Sequence, residues 1–229
     1  MTKIWPYHHR DYDSKERFCS YWHQINEALI VNLKEILEIG KGNGFVSNYL
    51  RNRGMNVITL DMDKRLDPDI VGSVLELPLP DESFDVVMCC EVLEHLPYED
   101  FRRALAEMFR VSRRHAILSL PDTDRVCRLN VQLPGIGEIK TLIRLPRLRK
   151  PVGNFSNASP SGIDAVGYSI QHYWEIGGID CPLNKIMKDI QSAGFEVKKS
   201  YRVFEHPHHR FFVLAKGKAK SEPNRKHEI

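Results

Sequence analysis

Apolar positions along the chain change period several times. In residues 13–33, "DSKERFCSYWHQINEALIVNL", Phe18, Tyr21, Trp22, Ile25 and Leu29 recur at helical spacing and predict a leading amphipathic helix. The period then shortens. "KEILEIG" (34–40) predicts a short strand, "FVSNYLRNRG" a helix with Phe45, Val46, Tyr49 and Leu50 on one side and Gly54 as its stop, and "NVITLD" (56–61) a second strand. "DIVGS" holds a third, very short strand, and the continuous apolar run "FDVVMCC" (84–90) predicts a strand buried on both faces. A helix follows from Tyr98 to Ser112 with Phe101, Leu105, Met108 and Phe109 as its stripe, then the strand "HAILSL" (115–120). Near the end, "CPLNKIMKDIQSAG" predicts a helix with Pro182 in its first turn and Gly194 as its stop. "FEVKKSYRVF" and "RFFVLAKG" (210–217) predict an antiparallel strand pair.

Strands alternating with helices at this spacing imply an α/β fold: one doubly wound sheet, mostly parallel, with an antiparallel C-terminal strand pair and helices on both faces. Such sheets bind ligands outside the carboxyl ends of their strands, where the strand order reverses. The chain divides into an N-terminal helical segment (1–33), an α/β core (34–122), an insertion (123–180), a helix and strands completing the core (181–217) and a polar tail expected to be disordered (218–229). The insertion shows no clear periodicity between Pro121 and Cys181, and loops of that length in compact domains are usually functional, so it is expected to form a substrate lid.

Composition narrows the class. With 229 residues, 42% of them hydrophobic and 28% charged, the chain has the material for one sizeable core. A net charge of +3 is too small to mark a nucleic-acid-binding protein. Five cysteines, at 19, 89, 90, 127 and 181, are an odd number with no disulfide or zinc spacing, and Cys89 and Cys90 sit side by side in an apolar run. Reduced thiols, the absence of an apolar h-region in "MTKIWPYHHRDYDSKERF" and the lack of any run of about 18 apolar residues lead us to expect a cytoplasmic protein with no transmembrane segment. The sequons at Asn154 and Asn157 carry no weight in that setting. Residues 125–150 hold seven Lys or Arg and one acid, including Lys140, Arg144, Arg147, Arg149 and Lys150. A solvated irregular segment is the plain reading, and weak contact with an anionic surface through 140–150 the sharper one. Pro146 rules out one continuous amphipathic helix there.

The chemistry begins at "EIGKGNG" (38–44), where glycines follow a buried strand and lead into a helix. Glycine costs conformational entropy, so a bare backbone must serve something, and close approach of a ligand to backbone N–H groups and a helix N-terminus is the usual reason. A dinucleotide fingerprint needs G-x-G-x-x-G, and Phe45 stands at its last glycine. The pattern is instead E-x-G-x-G-x-G, with Asp61 ending the second strand, where a carboxylate can accept two ribose hydroxyls.

Together with "LPLPDESFDVVMCCEVLEHL" (77–96), these residues resemble the class I S-adenosylmethionine-dependent methyltransferases with their Rossmann-like sheet, and especially the small-molecule branch called type 11. The resemblance covers residues 34–122 well and the terminal helix and strands more loosely. It implies S-adenosyl-L-methionine as cofactor and S-adenosyl-L-homocysteine as product. It implies that Glu38, Gly40, Gly42 and Gly44 hold the methionine part, Asp61 the ribose, and Met62 one face of the adenine, while the backbone around Cys90 meets the amino group. Ser73, followed by Val74, stands where the family commonly has an aspartate on the adenine amino group. Glu91 stands where His or Asn is frequent, at a position that opens towards the transferred methyl group.

Methyl transfer needs an aligned nucleophile and exclusion of water, and a hydroxyl acceptor also needs a base. "SIQHYWEIGG" (169–178) offers His172 as base, Tyr173 and Trp174 as walls and Glu175 as a neighbouring charge; the plain alternative is that these residues anchor the segment to the core. His95 in "EVLEHL" reads as a packed histidine, and "HPHHR" (206–210), with no Cys or carboxylate at ligand spacing, as a loop, so no metal site is assigned. No signature of a DNA or RNA methylating enzyme is present, which leaves a small metabolite, lipid or sugar acceptor. The competing readings are a non-catalytic protein that binds the cofactor and, less well supported, an NAD-dependent oxidoreductase.

Overall fold

The computed structural model describes residues 13–135, 137–146 and 172–217. Their strands are β1 (Glu35–Ile39), β2 (Asn56–Asp61), β3 (Ile70–Val71), β4 (Phe84–Cys90), β5 (Ser112–Pro121), β6 (Val126–Leu133), β7 (Gly137–Arg144), β8 (Phe195–Arg202) and β9 (His209–Lys216). Their helices are α1 (Lys15–Val31), α2 (Phe45–Asn52), α3 (Phe101–Val111) and α4 (Leu183–Ser192). Seven strands make one sheet in the order β3-β2-β1-β4-β5-β9-β8, in which β9 alone runs against its neighbours. The strand order reverses between β1 and β4, so a crevice opens beyond their carboxyl ends.

Alternation along each strand feeds two apolar layers. Val86 and Met88 of β4 join Ile25 and Ala28 of α1 and Leu50 of α2 on one face. Val87 and Cys89 join Phe101 and Leu105 of α3 and Ile190 of α4 on the other. Each such large side chain contributes about 1.5–3 kcal/mol by leaving water, which is why a strand with no polar alternation sits at the centre.

Helical spacing predicts the helices but not every buried residue on them. Phe18 and Trp22 are exposed, as are Phe45 and Tyr49 of α2; Phe18 and Phe45 pack edge to face on each other, with ring centroids 5.2 Å apart. In their place α1 buries Ser20 and Glu27, and Glu27 accepts from Tyr201 Oη at 3.0 Å and pairs with Lys199 at 2.7 Å.

The insertion differs from expectation. Residues β6 and β7 form an antiparallel hairpin pairing Val126 with Arg144 and Leu133 with Gly137, so the first part of this segment is regular. One of its faces carries Cys127, Leu129, Val131 and Leu133, the alternation that a strand requires. Lys140 lies between Glu138 (3.1 Å) and Glu205 (3.4 Å), which neutralises part of the basic stretch. Arg147, Arg149 and Lys150, both sequons, residues 147–171 of the expected lid and the 218–229 tail lie outside the described residues.

Where the chain returns at His172 it is pinned to the carboxyl edge of the sheet. Tyr173 N–H donates to the Glu94 carbonyl at 2.8 Å, Ile176 N–H to Pro121 O at 2.9 Å, and Trp174 Nε1–H to Leu96 O at 3.0 Å. A buried ion cluster locks the same edge: Asp122 meets Arg210 Nε at 2.6 Å and Arg202 at 3.2 Å, tying the end of β5 to β9 and β8.

Candidate functional site

A cleft of about 730 Å³ lies beyond the carboxyl ends of β1, β2 and β4, within the range of sites that hold a cofactor and a small molecule. Its two walls differ in chemistry.

The first wall is built by the turn after β1. Gly40 (φ +85°) and Gly42 (φ +54°) both take the left-handed conformation that glycine adopts without strain. A Cβ on Gly40 would stand 2.3 Å from Val92 Cγ2, whereas a Cβ on Gly42 would meet nothing within 4 Å, because that backbone borders the open cleft. The turn is fastened to β2 through Asp61, whose Oδ2 accepts Lys41 N–H and whose Oδ1 accepts Asp63 N–H, both at 2.9 Å. Each carboxylate oxygen keeps a second lone pair for a ligand. Glu38 is buried beneath this turn; its Oε2 has no hydrogen-bond partner among the described residues, and burial pushes its carboxyl up to about 7. Met62, Val74 and Cys90 complete this wall, and burial raises the Cys90 thiol out of the reactive range.

Two expected contributors stand back from the cleft. Gly44 (φ +72°) caps the start of α2, and Ser73 Oγ accepts Leu75 N–H at 3.2 Å inside its own turn. Among the described residues neither borders the cavity.

The second wall follows β4. Glu91, a non-glycine residue at φ +54°, turns the chain sharply into a 3₁₀ turn at Leu93–His95. Unfavourable backbone of this kind persists where surrounding contacts hold it. Here Glu91 Oε1 accepts the Ser119 hydroxyl at 2.8 Å, and Oε2 lies 3.3 Å from His209 Nε2. On its far side His209 Nδ1 meets Ser20 Oγ at 2.9 Å. Burial drives His209 down to about 2, so the ring is neutral: Nδ1 accepts from Ser20 and Nε2–H donates to Glu91. Burial also raises Glu91, to about 7.

Glu94 is fully buried beside the Glu91 carboxyl, and neither of its oxygens makes a well-formed hydrogen bond among the described residues. Burial, reinforced by the Glu91 charge, holds its carboxyl well above the usual range. His172 Nδ1 lies 2.7 Å from Glu175 Oε1, and that hydrogen bond lowers the Glu175 carboxyl. The rings of His95 and His172 are 5.0 Å apart. Tyr173 borders the cleft and is half exposed, whereas Trp174 is buried against Tyr98 and Phe101. The expected trio therefore divides: Trp174 anchors the segment, and His172 and Tyr173 face the cavity.

Sequence reasoning missed Glu94, His206, His208 and His209, all of which border the cleft. His209 opens β9, which runs antiparallel beside β5, so "HPHHR" is delivered to the same sheet edge as the end of β4. The signal was topological: a final antiparallel strand must begin where the parallel strands finish.

Residues 37–120 match the family model of a methyltransferase domain, type 11. A probable S-adenosylmethionine-dependent methyltransferase of Mycolicibacterium smegmatis is 29% identical over 123 residues, 47% of this chain and 47% of that protein. A ubiquinone biosynthesis O-methyltransferase of Hahella chejuensis is 29% identical over 140 residues, 51% of this chain and 58% of that one. The chain spans about half the length of these relatives. Among solved structures, magnesium protoporphyrin IX methyltransferase from Synechocystis PCC 6803 with bound S-adenosylhomocysteine has a TM-score of 0.59 at 14% identity, covering 88% of this chain and 84% of that one. A 1,6-didemethyltoxoflavin-N1-methyltransferase from Burkholderia thailandensis gives 0.51 at 14% identity, covering 88% and 86%. At such identities the structural likeness speaks for the fold.

Proposed function

We propose, from the match of residues 37–120 to the type 11 methyltransferase-domain model, that this protein transfers a methyl group from S-adenosylmethionine to a hydroxyl of a small metabolite, lipid or sugar. The observation that carries the proposal is the pairing of walls in one cleft: a glycine turn with two carboxylates on one side, a Glu/His cluster on the other.

The residues of the first wall fit the cofactor. Glu38, buried with an oxygen lacking a partner, is suited to the ammonium of the methionine part. Gly40 and Gly42 leave the backbone bare, Asp61 offers its remaining lone pairs to a ribose diol, and Met62 and Val74 offer apolar surface to a base. When bound, this cofactor supplies an electrophilic methyl group on a sulfonium, so the protein has chiefly to align the acceptor and take its proton.

The second wall supports an acceptor that gives up a proton. With Nδ1 committed to Glu175, His172 presents the lone pair of Nε2, and Glu91 stands close by, steadied by Ser119 and His209. Tyr173 is the half-exposed aromatic surface at the mouth. The relatives named as O-methyltransferases support oxygen as the methylated atom.

Calorimetry tests the reading. S-adenosylhomocysteine is expected to bind one-to-one and NAD not at all. Binding of NAD, with no heat from S-adenosylhomocysteine, would overturn it.

A further inference from the structure

Glu94, His95 and His172 bring one carboxylate and two imidazoles together on the acceptor side of the cleft, with ligand atoms all within 4.8 Å of one another. Ligands of one first-row divalent ion, bound at about 2.0–2.2 Å, lie roughly 3–4 Å apart, so small side-chain rotations close the set around an ion.

Two further observations single out this cluster. Glu94 is fully buried beside another acid, the Glu91 carboxyl; neither of its oxygens makes a well-formed hydrogen bond among the described residues, and two carboxyls side by side in a buried site favour the arrival of a cation. His172 has its Nδ1 taken by Glu175 at 2.7 Å, which leaves Nε2 as the free donor. A carboxylate holding the outer nitrogen of an imidazole is the usual support of a metal-ligating histidine, fixing its tautomer and ring orientation. Glu175, which does not border the cleft, is therefore a positioning residue.

We infer that Glu94, His95 and His172 bind a divalent first-row transition ion whose open positions face the methyl acceptor. Two imidazoles with one carboxylate suit Zn²⁺, Mn²⁺, Fe²⁺ or Co²⁺ better than Mg²⁺, which prefers an all-oxygen shell. Ion binding stands on these residues alone; only the ion's part in the reaction rests on the methyltransferase reading. In that part, an acceptor hydroxyl beside the ion releases its proton to water more readily. Its oxygen keeps the electron pair and uses it to bond the methyl carbon, while the pair of the broken carbon–sulfur bond stays on sulfur. His172 then serves as a ligand, and proton removal is driven by the ion.

The alternative grouping of His172, Glu175 and His208 is weaker, because Glu175 is already hydrogen-bonded to His172 and lies outside the cavity.

The test is a Co²⁺ titration of the untagged full-length chain after chelation, followed by visible d–d absorbance, with S-adenosylhomocysteine affinity measured on every variant as a check of fold. We expect one equivalent of Co²⁺, a loss of at least 100-fold in affinity for Glu94→Gln and for His95→Ala, a loss of roughly 10- to 100-fold for Glu175→Gln, and little change for His208→Ala. Chelated protein should also turn over at least 10-fold more slowly and recover with added metal. No stoichiometric Co²⁺ binding, or binding that survives Glu94→Gln and fails in His208→Ala, would overturn the inference. If S-adenosylhomocysteine still binds in that case, the methyltransferase reading stands and only the metal site falls.

Discussion

His209 Nε2 stands 3.3 Å from Glu91 Oε2, joining the first residue of β9 to the turn after β4 across the end of β5. The contact makes a histidine that is remote in sequence part of the second wall of the cleft. His209→Ala removes one of the two hydrogen bonds that steady a buried carboxylate, so a loss of about 1–3 kcal/mol in stability is expected. Affinity for S-adenosylhomocysteine should stay near the wild-type value, since the ring faces the other wall. Thermal unfolding beside calorimetry checks both; an unchanged melting temperature would show that the pair contributes nothing.

How much of this was readable beforehand follows from what each element depends on. The "FDVVMCC" strand, the glycine turn and Asp61 are local: period, turn chemistry and strand end lie within a few residues. The β6–β7 hairpin was also local, in the alternation of Cys127, Leu129, Val131 and Leu133, but mixed charges and Pro134 obscured it. The Ser73 hydroxyl accepts Leu75 N–H inside its own turn, a local bond that side chains of this type commonly make and that a reading of sequence position alone does not foresee. Glu94 and His209 depend on strand order, and only the antiparallel placement of β9 brings "HPHHR" to Glu91.

Glu38 gives a pH dependence with a definite sign. Burial raises its carboxyl from 4.5 to about 7 in the folded protein. Between those values the native state holds a proton that the unfolded chain has lost, so this group favours folding most at low pH. Its contribution falls as pH rises from 4.5 to 7 and is flat above that. Glu38→Gln should therefore be more stable than wild type above pH 7 and should lose this part of the pH slope. Binding of a ligand ammonium favours the carboxylate, so at pH 6 wild type should release a proton on binding S-adenosylhomocysteine. Calorimetry in two buffers of different ionisation enthalpy would detect it, and equal apparent enthalpies would remove Glu38 from that role.

The two cleft glycines should behave differently. Gly40→Ala meets Val92 Cγ2 at 2.3 Å in a strained backbone and should cost about 1–3 kcal/mol of stability or more. Gly42→Ala has open space, so its loss should be smaller, about 1 kcal/mol, while its methyl group obstructs the bound cofactor. Melting temperature and S-adenosylhomocysteine affinity together separate them; equal melting temperatures in the two variants would contradict the geometry.

The ion cluster under the cleft should be structural. Asp122 is buried between Arg210 and Arg202, and Asp122→Ala leaves two buried guanidinium groups without their carboxylate, with backbone carbonyls left to Arg202 and Ser200 Oγ to Arg210, at a cost of about 3–5 kcal/mol. Chemical denaturation reads this directly, and a loss below 1 kcal/mol would mean that water reaches the arginines.

The central claim is that the cofactor lies across the glycine turn with its ribose on Asp61. Calorimetric titration of Asp61→Ala with S-adenosylhomocysteine tests it most directly. Loss of hydrogen bonds to a charged group should weaken binding by about 1.5–3 kcal/mol, roughly 10- to 150-fold, and the free protein should melt earlier, because Asp61 also accepts Lys41 N–H and Asp63 N–H, while still folding cooperatively. A dissociation constant equal to that of wild type, in a variant that folds normally, would contradict the account.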